Sequence, residues 1–324
     1  MTLIDYSLEP RSDIAFIDMK SFYASVECIA RGLHPLKASL CVMSRADNCK
    51  GLILASSPVF KKVFGCKNVG RTYDLPFDIH TRRFSYYKAE RQGLPTDAAF
   101  VRFIEAWARA TVIVPPRMSE YIRINMQIQR ILQNFATTRE IYPYSIDEGF
   151  VDLTTSLNYF FPDPTLSRKE KLDLLSAQIQ RAIWKETGLY STVGMSNANP
   201  LLAKLALDNE AKNAKNMRAN WSYEDVETKV WGIEKMTDFW GIGSRMEKRL
   251  NQLKIYTIKE LAHADADLLK KHLGIMGVEL WFHANGIDES NVHHPYKVKS
   301  HGIGNSQILP KDYRQKGDIE LILR

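Results

Sequence analysis

Three carboxylates stand where they could do chemistry. Asp18 follows the apolar run Ile14-Ala-Phe-Ile17, and Asp147 and Glu148 lie side by side within Tyr144-Ser-Ile-Asp-Glu-Gly-Phe-Val-Asp152. Short apolar runs of this kind read as strands or strand-to-strand turns. A carboxylate there is costly to bury unless it is paired, hydrogen-bonded or bound to a cation. If the two segments are neighbouring strands, the acids converge at one sheet edge. Such an edge could hold two divalent cations over a phosphate ester. The same spacing also suits turn acids facing solvent, and spacing alone does not choose between them.

The totals bound what such a site would work on. A chain of 324 residues has length for roughly two to four small domains with a substantial core. Lys and Arg number 44 against 37 acidic residues, a formal charge of +7, and the sequence pI is about 9.1. This favours a polyanionic partner without requiring one. Cys28, Cys41, Cys49 and Cys66 form no C-x2-C or C-x4-C step and have no histidine pair beside them. They read as reduced thiols of a cytoplasmic protein rather than a zinc site. No basic segment followed by an apolar stretch opens the chain, and no run of about 18 apolar residues occurs. Neither secretion nor membrane spanning is suggested.

The elements that must position the acids follow from periodicity. Residues 1–11 read as a loose arm, and 14–18 as a strand. A helix is expected over Phe22–Ala30 with Ser21 as its N-cap. Leu40–Met43 and Leu52–Ala55 are strand-like runs, and Ser56-Ser-Pro58 leads into a helix with proline in its first turn. A helix near 97–110 carries Phe100, Phe103, Ile104 and Trp107 on one stripe. Thr111–Val114 is a strand, ended by Pro115-Pro116. A helix from near Ser119 places Tyr121, Ile124, Ile128, Ile131, Leu132 and Phe135 on an apolar face. After the Asp147-Glu148 hairpin, a helix from Lys169 to Thr187 turns Leu172, Leu175, Ile179, Ile183 and Trp184 inward, with Gly188 as C-cap. Ser191–Asn197 is a strand and turn, and Pro200 opens a helix with Lys204 and Lys212 on or just after it. From 219 the character changes. Trp240-Gly-Ile-Gly-Ser-Arg-Met-Glu-Lys-Arg-Leu250 reads as the hairpin of a helix-hairpin-helix, with Leu273-Gly-Ile-Met-Gly277 as a degenerate second half. Gly241 and Gly243 would free backbone N–H groups for a phosphate oxygen, with Arg245, Lys248 and Arg249 adding charge.

Phe16-Ile-Asp-Met-Lys-Ser-Phe-Tyr-Ala-Ser-Val-Glu27, followed far downstream by Ser145-Ile-Asp-Glu148, resembles the signature pair of the Y-family DNA polymerases, the translesion synthesis enzymes. Within that family the chain is most similar to the UmuC-like branch, the catalytic subunit of bacterial DNA polymerase V and its Gram-positive relatives. The likeness runs from about residue 12 to the end. It implies an α+β fold: a ferredoxin-like palm, small fingers and a helix-hairpin-helix thumb. The implied division is 1–24 arm and first part of the palm, 25–80 fingers, and 81–218 palm with an extra helical segment near 97–110, which reads as a helix packed against the palm or as a contact for a partner protein or DNA. Residues 219–289 would be the thumb and 290–324 a linker and the start of a little finger. That fourth domain begins with Ser300-His-Gly-Ile-Gly-Asn-Ser306 and needs roughly a hundred residues, so the chain reads as cut short within it.

The resemblance also implies roles. Asp18, Asp147 and Glu148 would be catalytic and, with the Met19 carbonyl, would hold two Mg2+ ions, for which Mn2+ could substitute. Asp152 matches a structural acid. Tyr23 would be the steric gate under the nucleotide sugar, beside Phe22. Ser56, Lys62 and Lys212 would contact the triphosphate, although Val59 and Lys62 stand where many relatives carry tyrosine and arginine. Grip there should be weaker or differently shared. Lys212 lies one residue farther along than in archaeal-type members. The implied activity is template-directed DNA synthesis in the cytoplasm, of low fidelity and without proofreading. Partners would be primer-template DNA, deoxynucleoside triphosphates and SOS accessory proteins. A sliding clamp is expected through a peptide farther downstream in relatives. The competing reading is a DNA-binding fragment with little polymerase activity. A two-metal nuclease or cyclase would explain the acids but not Tyr23 or the thumb.

Overall fold

The computed structural model describes residues 4–44, 51–63, 70–294, 302, 304 and 313–323. Among them the strands in chain order are β1 (Ile14–Met19), β2 (Leu40–Met43), β3 (Ile53–Ser56), β4 (Val112–Val114), β5 (Ile141–Pro143), β6 (Glu148–Asp152), β7 (Ser191–Ser196) and β8 (Arg218–Asn220). They form a five-stranded sheet of order β5-β6-β1-β7-β8 and a three-stranded sheet of order β3-β2-β4. Strand β1 is central in the larger sheet and antiparallel to both neighbours.

A central strand covered on both faces is apolar on both, and β1 is. Ala15, Ile17 and Met19 pack with Val151, Val193 and Met195 under the helices Met118–Leu132 and Arg168–Thr187. Ile14 and Phe16 pack the other way, with Phe150, Ala203 and Leu207. Strand residues alternate, so Asp18 and Glu148 continue the Phe16 and Phe150 face to the end of the sheet. The helix Pro200–Ala206 covers that face, capped by the side chain of Asn199. It lies so close that a Cβ on Gly194 of β7 would be 2.1 Å from the Ala203 carbonyl oxygen. Only glycine permits this approach.

The smaller sheet has β2 antiparallel to β3 and parallel to β4. The helix Pro58–Val63 begins at its proline, as expected, and buries Phe60. The helix Ala98–Ala110 buries Ile104, Trp107 and Ala108 against Cys41, Met43, Phe60 and Phe77. It therefore covers the smaller sheet, correcting the expectation that it packs against the palm: β4, which follows it directly, pairs with β2. The helices Ser244–Gln252, Ile258–Ala262, Ala266–Leu273 and Ile275–Ala284 share a core with Trp221, Val226 and Phe239. The chain divides after His293, and the C-terminal unit contains the helix Lys316–Leu323. No helix among the described residues is long and apolar enough to cross a membrane.

Three further expectations are corrected. Residues 4–11 are not a loose arm, because the Tyr6 ring stacks on Tyr223 at 5.0 Å, its hydroxyl donates to the Asn285 carbonyl, and Arg11 pairs with Glu224 at 2.7 Å. Ser21 does not cap its helix with its side chain. It takes the left-handed conformation at φ 50° to turn the chain sharply out of β1, and its carbonyl accepts from Ser25 N–H. Trp184 is 53% exposed rather than inward, since Ile179 and Ile183 already fill that face. Cys28 and Cys41 are buried free thiols, and burial pushes Cys28 up to about 11. Cys49 and Cys66 lie outside the described residues, as does the 300–306 stretch apart from Gly302 and Gly304.

Candidate active site

Asp18 and Glu148 are cross-strand partners at the end of the β1–β6 pair. Directly opposed residues of an antiparallel pair bring their side chains within about 4.5–5.5 Å at Cβ. The turn before β6 adds Asp147, whose carbonyl accepts the Met19 N–H at 2.9 Å. Met19 thus stands at the same corner as the acids. Asn125 braces the turn by donating to the Ile146 carbonyl at 2.7 Å, and the Glu148 carbonyl accepts from Tyr144 and Ser145 N–H. Burial pushes Asp18 up to about 7, against the pull of Lys212, and the charges of Asp147 and Glu148 push the same way.

The donor chemistry fits a hard cation, since three carboxylates on one corner supply oxygens with surplus negative charge. They do not stand ready-assembled. Among the described residues no three Asp, Glu, His or Cys side chains form a metal cluster. Glu148 is turned onto Lys204 Nζ at 3.1 Å, and Asp147 accepts from Ser145 Oγ at 2.7 Å. Glu148 is thus neutralised by a lysine, while Asp147 has a hydroxyl donor.

The cations of this corner come from the helix Pro200–Ala206 and the turn that follows it. Lys204 lies over the Phe16 ring at 4.3 Å and also reaches Asp208 at 3.4 Å. Lys212 meets Asp208 at 2.6 Å. Although burial opposes it, the charges of Asp208, Asp18 and Glu148 hold the Lys212 ammonium above its usual range. A π-helical turn, Leu207–Ala211, precedes Lys212, whose N–H reaches back five residues to the Leu207 carbonyl at 3.2 Å. A π-turn inserts one residue without ending the helix, so both lysines stay on the side of the acids.

Tyr23 lies one residue into the helix Phe22–Ile29. Its ring stacks on the buried Tyr121 at 4.2 Å and 14°, and burial and the Asp147 charge raise its hydroxyl. Phe22 is buried in the core beneath the sheet. In the smaller sheet Ser56 is buried at the end of β3, opposite Cys41. Lys62 is exposed, whereas Lys61 is half-buried and in the field of Asp18 and Asp147.

In the helical region Gly241 adopts φ +94° and exposed Gly243 precedes the helix Ser244–Gln252. Gly274, at φ +69°, precedes the helix Ile275–Ala284 in the same way. Both helix starts leave unpaired backbone N–H groups of the kind that hold phosphate. Arg245 and Lys248 are exposed. Arg249 is used internally, donating to the His272 carbonyl at 2.9 Å.

The impB/mucB/samB family model matches residues 84–208. UvrX of Bacillus subtilis (strain 168) is 37% identical over 323 residues, 99% of this chain and 66% of UvrX. DNA polymerase IV 2 of the same organism is 34% identical over 311 residues, 96% of this chain and 65% of that protein. The chain belongs to the Y family of DNA polymerases. It spans about two thirds of the length of these curated relatives. A Y-family DNA polymerase chimera of Dbh and Dpo4, 21% identical, superposes with a TM-score of 0.63 over 88% of this chain and 70% of that one. The mixed architecture is thus the palm, fingers and thumb fold of the family.

Within this Y-family chain the structure brings Asp18, Met19, Asp147, Glu148 and Lys212 to one corner, and keeps Gly241, Gly243, Arg245 and Lys248 together on another element. Sequence reasoning missed Lys204 as the partner of Glu148. Its signal was the repeat Lys204-x3-Asp208-x3-Lys212, which lines one helix face. It also missed Glu27, fully buried yet paired with Arg31 and with Arg117 Nε at 2.9 Å, and accepting from the Tyr121 hydroxyl at 2.9 Å. An acid inside the apolar run Phe22–Ile29 was the available hint.

Proposed function

We propose that the chain is the catalytic core of a template-directed DNA polymerase of the translesion type, adding deoxynucleotides to a primer 3′-hydroxyl without proofreading. The observation that carries this is the cross-strand pairing of Asp18 with Glu148, with Asp147 tied in beside Met19. Mg2+ or Mn2+ held by these three carboxylates and the Met19 carbonyl would polarise the phosphoryl group and lower the pKa of the attacking hydroxyl. The side chains do the rest. Lys204 and Lys212 put positive charge where the triphosphate develops negative charge, and the burial of Lys204 strengthens its share. Lys204 also neutralises Glu148. Tyr23 bars a 2′-hydroxyl by occupying its space, a discrimination by exclusion. Ser56 offers its hydroxyl to the triphosphate.

On this reading the smaller sheet with its helices forms the fingers, the five-stranded sheet the palm, and 219–289 the thumb, whose free N–H groups and Arg245 and Lys248 grip duplex backbone. Primer-template DNA and deoxynucleoside triphosphates are the substrates, in the cytoplasm. A sliding clamp and SOS accessory proteins are further partners of the whole protein. UvrX is named for UV-damage repair, which suits synthesis past damaged bases. The test is primer extension on four templates differing in the first unpaired base, with and without Mg2+. Addition that follows the template and needs the metal supports the reading. DNA binding without any addition would instead identify a DNA-binding fragment.

A further inference from the structure

We infer that Tyr144 and Trp240 are positioning residues, whose ring contact carries the register between the glycine turn of the thumb and the acid turn of the palm. This rests on the polymerase reading above and deepens it.

Each ring stands at the edge of a turn that the reaction needs. Tyr144 opens the turn that holds Asp147, and its N–H and that of Ser145 donate to the Glu148 carbonyl at 3.0 and 2.9 Å. A shift of Tyr144 is therefore a shift of the acid turn. Trp240 immediately precedes Gly241, whose φ of +94° starts the turn into the helix Ser244–Gln252. Its other neighbour, Phe239, is buried in the core of the helical region, and the Trp240 ring stacks on His283 at 6.5 Å and 6°. Trp240 thus moves with the thumb.

The two rings meet edge to face, 6.3 Å apart at their centroids and 71° from parallel, within the range of about 4.5–7 Å over which such pairs attract. Tyr144 also meets Phe16 and Phe150 edge-on, at 6.1 and 6.0 Å. Those two residues precede Asp18 and follow Glu148 on the same face of the sheet. A second contact reaches the same thumb stretch. Asn209, in the π-turn between Lys204 and Lys212, donates to the Leu205 carbonyl at 3.0 Å and to the Asp238 carbonyl at 3.4 Å. Both palm elements that bring charge to the site therefore touch residues 238–240. The Asn209–Asp238 bond is long and exposed, so the rings carry more of the coupling. A duplex phosphate held beyond Gly241 is kept in register with the acids. Register matters, since displacing reacting atoms by about 1 Å costs on the order of a hundredfold in rate.

The experiment compares the wild type, Tyr144→Phe, Tyr144→Ala, Trp240→Leu and the double variant Tyr144→Ala/Trp240→Leu. Single-nucleotide insertion at saturating primer-template gives kcat and KM, anisotropy gives DNA affinity, and thermal melts give Tm. Tyr144→Ala is expected to lower kcat about tenfold, with DNA affinity within about twofold and Tm little changed, because Tyr144 is 45% exposed. Tyr144→Phe should recover most of the loss, since the ring makes the contact. The double variant should be no more than about twofold slower than the slower single one. Losses that multiply in the double variant overturn the inference, as does a Tyr144→Ala defect confined to DNA affinity or matched by Tyr144→Phe. Hydrogen exchange over residues 144–148 reads the same coupling without turnover, and without any Trp240 variant if that one does not fold. DNA binding should slow exchange there in the wild type and much less in Tyr144→Ala, and equal slowing in both overturns the inference. A wild type with this ring-dependent slowing that adds no nucleotide would remove the polymerase reading and leave the coupling standing.

Discussion

The rings of Tyr23 and Tyr121 lie 4.2 Å apart and 14° from parallel, and Tyr121 is itself fixed by its hydroxyl bond to the buried Glu27. The candidate sugar gate is therefore backed by a rigid stack. Replacing Tyr23 with alanine should leave the Tyr121 ring in place and open space for a 2′-hydroxyl. The ratio of kcat/KM for a deoxynucleotide to that for its matching ribonucleotide should fall by about tenfold or more. If Tyr23 serves only packing, activity with both substrates and stability fall together and the ratio holds.

Asp18 links stability to pH and metal. Its carboxyl is raised from 3.8 to about 7 in the fold, first by burial. A raised pKa means that the fold favours the protonated form. The contribution of Asp18 to stability is fully present below about pH 4 and is lost as pH climbs through 7. In metal-free buffer, Asp18→Asn should raise Tm at pH 8, and the gain should vanish near pH 4. Mg2+ should raise the wild-type Tm at pH 8 more than that of the variant. Thermal unfolding at the two pH values checks both statements, and a variant less stable than wild type at pH 8 without metal would contradict them.

Gly194 carries the placement of the lysines. A methyl group there would meet the Ala203 oxygen at 2.1 Å and the Leu207 nitrogen at 2.4 Å, both backbone atoms. Gly194→Ala should push the lysine-bearing helix off β7, costing about 1–3 kcal/mol or more. Nucleotide insertion should fall beyond what the reduced stability explains, because Lys204 and Lys212 move with the helix. Denaturant melts paired with insertion assays at a temperature where both proteins are folded would show the two effects separately.

Much of this was legible in the chain. The run at 14–17 and the stretch at 144–152 read as strands, and their pairing in the structure meets the condition under which Asp18 and Glu148 converge. The π-turn was not legible, since no composition marks it. Only the longer spacing to Lys212 hinted at it. Nor could periodicity show that the helix at 98–110 covers the smaller sheet, because an apolar stripe names a face and not its partner. Trp184 fitted the helical stripe and still faces out. The stripe is wider than the surface that Ile179 and Ile183 already fill.

The thumb reading makes a salt prediction. Arg245 and Lys248 are exposed beside two glycine-led helix starts. Replacing either by alanine should weaken primer-template binding regardless of sequence and make the slope of log K against log salt shallower by about 0.9 for each phosphate no longer neutralised. Arg249, tied to the His272 carbonyl, should change thumb stability more than that slope. An unchanged slope for both exposed residues would take them out of the DNA interface.

The central claim is that Asp18, Asp147 and Glu148 act together on a templated phosphoryl transfer. The most direct measurement is single-turnover insertion of one templated nucleotide in Mg2+ by the wild type, Asp147→Asn and Glu148→Gln, with primer-template affinity measured alongside. Template-specific insertion by the wild type, a drop of about a thousandfold or more in each variant and DNA affinity within about threefold is the predicted result. Variants that insert nucleotide at nearly the wild-type rate, or whose defect is explained by weaker DNA binding, would contradict it.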